Sequence, residues 1–182
     1  MTLTADDRAA LIGACPLFRG LVPDDLAAVA AAAIEVDFPA ERVIARQGEI
    51  GTGFFVVVSG SVRVIRGGEE VAVLGPGDFF GELSVLDGLP RVAQVTAVEP
   101  TRCLALASWD FEQALLDSPT LALSILDGGP RVAQVVTDEP TVCLAIPSWD
   151  FERVLREEPG VALAVLKVVA ARLREVTSDH RT

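Results

Sequence analysis

The chain of 182 residues is predicted to be mainly β, an antiparallel β-roll of jelly-roll type set between flanking helices. Three observations carry this. Before Ile34 the apolar residues repeat at helical spacing. From Ile34 to Leu106 they fall into short runs cut by Gly, Pro and Asp, the mark of short antiparallel strands. From Ser108 onward helical spacing returns.

Ala5–Cys15 and Pro23–Ala33 read as helices. In the second, Pro23 suits a first-turn position, and Asp24 and Asp25 complement the positive end of the helix dipole. Leu26, Val29, Ala30 and Ala33 give it an apolar stripe. Expected strands are 34–38, 42–46, 54–59, 61–66 and 70–74, with Gly67-Gly68 and Gly75-Pro76-Gly77-Asp78 as turns. Alternation predicts that Val62 and Val64, and likewise Val71 and Val73, face inward. A last hairpin, 92–98 and 102–107, turns at Glu99-Pro100-Thr101. A helix should then start at Ser108 as N-cap, with Glu112 in its first turns. A long final helix is expected over about 158–177, its acidic start (Glu157, Glu158) and later Arg172 and Arg174 suiting the dipole.

Composition removes several function classes. Half of the residues are apolar, 51%, which argues against disorder. No apolar run reaches the about 20 residues of a membrane span, since 160–171 is interrupted by Lys167. The start, Met1 to Asp7, lacks the basic and apolar regions of a signal peptide, so a cytoplasmic location is expected. A formal charge of −11 repels phosphate backbones and argues against direct nucleic-acid binding. A jelly-roll metalloenzyme needs several converging His and carboxylate ligands, and His180, the sole histidine, lies in a polar tail. The chain is therefore expected to have no metal, no cofactor and no enzymatic role. Cys103 and Cys143 sit in alternating apolar patterns and read as packing residues.

The segment with most chemistry is Phe80-Gly81-Glu82-Leu83-Ser84-Val85-Leu86-Asp87-Gly88-Leu89-Pro90-Arg91-Val92-Ala93. Gly81 allows close backbone approach. Glu82 can accept bonds from sugar hydroxyls. Arg91 presents a planar fork matched to phosphate oxygens. A sugar-phosphate ligand follows as the first hypothesis. A simple salt bridge between Glu82 and Arg91 is the alternative use of the same two residues.

The order and spacing of this segment resemble the phosphate-binding cassette of the cyclic-nucleotide-binding domain family. An upstream segment, Gly48-Glu49-Ile50-Gly51-Thr52-Gly53-Phe54-Phe55-Val56-Val57-Val58-Ser59-Gly60-Ser61-Val62, resembles the family's glycine-punctuated β-roll. The resemblance covers Leu17 to Leu126. It implies a cyclic-nucleotide-binding fold, cAMP as ligand, Arg91 on the phosphate and Glu82 on the ribose 2′-hydroxyl. Gly81, Leu83, Val92, Ala93, Val95, Val62 and Ala72 would line the pocket. Bacterial members usually carry Ser or Thr after the arginine. Val92 removes that hydroxyl, worth about 0.5–1.5 kcal/mol, and by family analogy argues against cGMP.

Residues 87–126 and 127–166 align without gaps, identical at 24 of 40 positions. Asp87 to Val95 recurs as Asp127 to Val135, and Ser108-Trp109-Asp110-Phe111-Glu112 as Ser148-Trp149-Asp150-Phe151-Glu152. This is a partial tandem duplication, dividing the chain into a nucleotide-binding domain, 1–126, and a duplicated hairpin-helix unit, 127–182. The second copy keeps Arg131, but Leu121-Ala122 stands where Gly81-Glu82 would be, so no second site is expected. One roll has one slot for a terminal hairpin; the first copy, joined directly to Glu82, is expected to fill it. Val132, Val135, Cys143, Leu144 and Ile146 would then be surplus apolar residues that favour self-association. The last helix, which caps the base in the family, is displaced one unit downstream, which leaves closure over the ligand open. The resulting expectation is a cAMP sensor without a DNA-binding output domain of its own, acting through a homodimer or a protein partner. The alternative is a β-roll interaction module that no longer binds nucleotide.

Overall fold

The computed structural model describes residues 2–18, 21–118, 121 and 148–178. Arg131, Val132, Val135, Cys143, Leu144, Ile146 and His180 lie outside the described residues. Two helices, α1 (Ala5–Ala14) and α2 (Pro23–Ala32), lead into the strands. Thr4 caps α1 in a reciprocal box with Asp7. Pro23 starts α2 as expected from its fixed φ.

Among the described residues eight strands form two antiparallel four-stranded sheets. One is ordered β1 (Ile34–Phe38), β8 (Thr101–Ala107), β3 (Gly53–Ser59), β6 (Phe79–Phe80). The other is β2 (Val43–Ala45), β7 (Gln94–Ala97), β4 (Val62–Arg66), β5 (Glu69–Leu74). The sheets close around an interior holding Val57, Val62, Val95 and Cys103. Burial pushes the Cys103 thiol up to about 12, so it stays a protonated packing group. The slot for the terminal hairpin holds the first copy, β7–β8, with β7 between β2 and β4 and β8 between β1 and β3.

The continuous apolar run of β3 has a specific cause. Phe54 and Val56 join the cluster beneath the helices, whereas Val57 faces the roll interior alongside Phe55. A strand covered on both faces loses the polar half of its alternation. β8 behaves likewise, with Leu104 and Leu106 toward the helices and Cys103 inward. Across the β1–β8 pair, Arg102 grips Asp37 opposite it through Nε and a terminal nitrogen, at 2.6 and 2.8 Å.

The Gly67-Gly68 turn joins β4 to β5 with both glycines at positive φ, +61° and +91°, which primed hairpin turns demand. One orientation in β5 differs from the sequence expectation. Val71 and Val73 are exposed, and Ala72 and Leu74 are the inward residues. All four side chains are apolar, so composition left the parity of β5 unmarked. The ladder sets it, because Val62 pairs with Leu74 and Val64 with Ala72.

Short helix α3 (Glu82–Asp87) follows β6, and α4 (Ser108–Asp117) follows β8. Ser108 is not the cap: Ala107 occupies that position without a side-chain bond, and the Ser108 N–H goes to the Thr52 carbonyl at 2.9 Å. A backbone acceptor from the β2–β3 loop does the capping. Helices α5 (Ser148–Glu157) and α6 (Pro159–Ser178) complete the described fold. Their Leu155, Ala162, Leu166 and Ala170 belong to the same buried cluster as Phe18, Phe54 and Phe111. Phe54 and Phe111 stack at 5.5 Å, with Phe18 edge-on to both. Helix α6 packs against α3 and α4, with Lys167 paired to Glu112 at 3.0 Å. The displaced helix therefore lies on the first cassette. Among the described residues no helix is long and apolar enough to cross a membrane.

Candidate functional site

Gly81 is the N-cap of α3 at φ +93°, a left-handed conformation that costs glycine little. The chain leaves β6 there and turns at once into the helix that carries Glu82. At the other end Gly88, at φ +70°, stops the helix. The Asp87 carboxylate accepts the Leu89 N–H at 2.9 Å, and the loop then runs through Pro90 to Arg91.

Arg91 is fixed from three sides. Its backbone exchanges bonds with the β2–β3 loop, N–H to Glu49 carbonyl at 2.8 Å and carbonyl from Gly48 N–H at 2.9 Å. Its guanidinium donates to the carbonyls of Gly81, at 2.8 Å, and Gly53. Its side chain lies over Gly51, where a Cβ would sit 1.8 Å from Nε. A Cβ on Gly81 would come 2.3 Å from a terminal nitrogen. Two glycines thus make the channel for one buried arginine, 8% exposed. Arg91 gives its two terminal nitrogens to carbonyls rather than to Glu82.

A cavity of about 190 Å³ opens beside this arginine. Gly81, Glu82, Leu83, Arg91, Val92, Ala93 and Val95 all line it, so seven of the nine residues singled out in the sequence come together. Val62 and Ala72 do not. Val62 is fully buried between the sheets, and Ala72 lies opposite Val64 without lining the cavity itself. The wall is formed instead by Val64 and Leu74, two residues along each strand. Ala45, Phe79, Phe80 and Ser84 complete it; β6 had no sequence signal beyond two phenylalanines after a turn. Arg91 also borders a wider polar groove of about 400 Å³ with Arg42, Arg46 and Glu49. Of these two, the smaller cavity unites Arg91 with Glu82.

The electrostatics of the two charged residues are asymmetric. Burial raises the Glu82 carboxyl above its ordinary range. Backbone N–H groups of Glu82 and Gly81, and the charges of Arg91 and Arg174, pull in the opposite direction. Burial likewise lowers Arg91, with Glu82 opposing the shift. The site therefore pairs a desolvated hydrogen-bond acceptor with a cation whose remaining N–H groups have no protein oxygen to meet among the bonds described. An anion bearing hydroxyls satisfies both.

Residues 35–118 match the model of the cyclic nucleotide-binding domain. A cyclic nucleotide-gated potassium channel of Mesorhizobium japonicum is 41% identical over 112 residues, which cover 62% of this chain and 31% of the channel. The structure of the catabolite activator protein of Thermus thermophilus shares 37% identity at a TM-score of 0.56, over 61% of this chain and 55% of that one. The N-terminal domain of a transcriptional regulator from Streptomyces coelicolor shares 32% identity at a TM-score of 0.57. There the match covers 64% of this chain and 85% of the other. The chain thus spans about a third of the channel and about half of the activator.

Proposed function

The chain belongs to the cyclic nucleotide-binding domain family, and from that premise we propose that it is a cAMP-binding sensor module. The observation that carries this is the meeting at one cavity of a buried carboxylate, Glu82, and a buried guanidinium, Arg91, held in place by the Gly81 and Gly53 carbonyls. In this reading Glu82 accepts the ribose 2′-hydroxyl and Arg91 meets the cyclic phosphate. Gly81 and Ala93 allow close approach, while Leu83, Val92 and Val95 supply apolar wall. The sugar-phosphate fits a space of about 190 Å³, with the base toward Val64 and Leu74. Val92 supplies no hydroxyl, which favours cAMP over cGMP. The reading is one of binding and not of catalysis, and a cytoplasmic location suits it.

The test is a thermal-unfolding titration with cAMP and, separately, cGMP. At a hundredfold excess over Kd a ligand that binds only the folded chain adds about 2.7 kcal/mol. For a chain of this size that raises the midpoint by about 5–10 °C. cAMP should act at lower concentration than cGMP. A midpoint unmoved by millimolar amounts of either leaves the interaction module as the function.

The output of the sensor passes to a protein surface, a second copy of the chain or another partner, and not directly to nucleic acid. The net charge of −11 opposes binding to phosphate backbones. Helix α6 carries Val161, Val168 and Val169 on its outer face, 39%, 55% and 39% exposed, an apolar stripe that association would cover. Val168→Glu should shift the chain toward monomer in light scattering. A chain already monomeric at high concentration excludes the second copy as the route.

A further inference from the structure

Two exposed arginines flank strand β2, Arg42 before it and Arg46 after it. Both line the groove of about 400 Å³ that also reaches Arg91. Three guanidiniums thus border one groove in a chain of net charge −11. Among the described residues Arg42 makes no ion pair, and Arg46 reaches Glu49 only at 4.0 Å, too far for a hydrogen bond. The wall continues through Ile50, Gly51 and Thr52. Among the described residues no backbone acceptor takes an N–H of these three. Consecutive amides without acceptors, set beside cations, are the makings of an anion cradle. The groove and the smaller cavity meet at Ala45 and Arg91, which line both. Glu82 borders the cavity alone, and Arg42 and Arg46 border the groove alone.

We propose that this groove is a second anion site, suited to a polyphosphate: pyrophosphate itself, or the phosphate tail of a nucleoside di- or triphosphate. Four residues of extended chain hold the backbones of Arg42 and Arg46 about 13 Å apart. A single phosphate meets both heads only if they fold inward, whereas linked phosphates give each arginine its own oxygens. The groove has more than twice the volume of the cavity, about 400 against about 190 Å³. The site stands on its own residues; its coupling to cAMP rests on the proposed function. Arg91 already gives its terminal nitrogens to the carbonyls of Gly81 and Gly53. A polyphosphate in the groove and a cyclic phosphate in the cavity draw on that one guanidinium and repel each other across it. Each therefore weakens the other by the same factor.

The experiment uses the full chain and the Arg42→Met/Arg46→Met variant, at constant ionic strength and without divalent cations. Calorimetric titration with pyrophosphate should show binding to the unmodified chain, weakened on the order of tenfold in the variant. The variant's affinity for cAMP alone should be unchanged. Sulfate, a tetrahedral dianion with no second phosphate, should bind more weakly than pyrophosphate. ADP binding more tightly than pyrophosphate identifies a nucleotide as the source of the phosphates, and equal affinity identifies the phosphates alone. Amide shifts in NMR spectra on adding pyrophosphate should centre on Ile50, Gly51 and Thr52. Shifts centred on Leu83, Val92 and Ala93 overturn the proposal, because they put the anion in the smaller cavity. Pyrophosphate affinity equal in the variant, or equal to that of sulfate, overturns it too. Saturating pyrophosphate should raise the Kd for cAMP on the order of fivefold in the unmodified chain and not in the variant. A Kd left unmoved, or raised equally in both, overturns the shared use of Arg91. A chain that takes pyrophosphate at the loop but binds no cAMP leaves the groove site standing and overturns the proposed function.

Discussion

Arg91→Ala is expected to abolish measurable cAMP binding, a loss on the order of a hundredfold to a thousandfold in affinity. Three consequences follow from one deletion. The ligand loses a charged fork that meets phosphate oxygens two at a time. The carbonyls of Gly81 and Gly53 lose their donor. The channel over Gly51 is left empty. The second effect destabilises the ligand-free chain by about 1–3 kcal/mol, so binding is to be measured where the variant is still folded. Arg91→Lys separates the contributions. It keeps a cation in the channel but cannot hold both carbonyls and present donors to the cavity at once, so most of the affinity should still be lost. Arg131→Ala, in the second copy that lacks the Gly-Glu pair, should bind cAMP as the unmodified chain does. Equal losses from Arg91→Ala and Arg131→Ala in calorimetry would falsify the assignment of the site to the first copy.

Much of the candidate site's geometry was readable because its residues are marked by residue type and close spacing in sequence. A glycine at a left-handed cap, a carboxylate and a forked cation keep their chemistry wherever the chain puts them. Their closeness in sequence, ten residues from Gly81 to Arg91, left little freedom in how they meet. The roll was legible for a similar reason: Gly67-Gly68 and Gly75-Pro76-Gly77-Asp78 state their turns locally. Register and parity were less so. Val71, Ala72, Val73 and Leu74 are all apolar, and only pairing with Val62 and Val64 decides which pair faces inward. The same two-residue offset moved the wall from Val62 and Ala72 to Val64 and Leu74. Arg174 was visible as a cation suited to a helix end, and nothing near it in sequence named its partners. Those lie 84–90 residues earlier, a meeting made by packing of α6 on α3.

Glu82→Gln is expected to move stability and affinity in opposite directions. The folded chain holds Glu82 where burial raises its pKa above the value of 4.5 it has when exposed. Between those two values the folded state binds more protons than the unfolded one, so stability falls as pH rises through that window. Above the folded value the penalty for the buried charge is complete. Glutamine carries no charge, yet its carbonyl can still accept from the backbone N–H groups of Glu82's position and Gly81. The variant should therefore melt higher than the unmodified chain at pH 7. That advantage should shrink as pH falls toward 4.5, because protonation relieves the unmodified chain of the same charge. Toward cAMP the sign reverses: the 2′-hydroxyl loses a charged acceptor, worth about 1.5–3 kcal/mol, or roughly a tenfold to hundredfold weaker Kd. The two measurements are melting curves from pH 4.5 to 7.5 and a calorimetric titration at pH 7. A variant less stable at pH 7, or one whose advantage grows on acidification, would mean that Glu82 is held in place by its partners. In that case the carboxylate is not a group kept charged and dry for an incoming hydroxyl, and its role in the site would have to be given up.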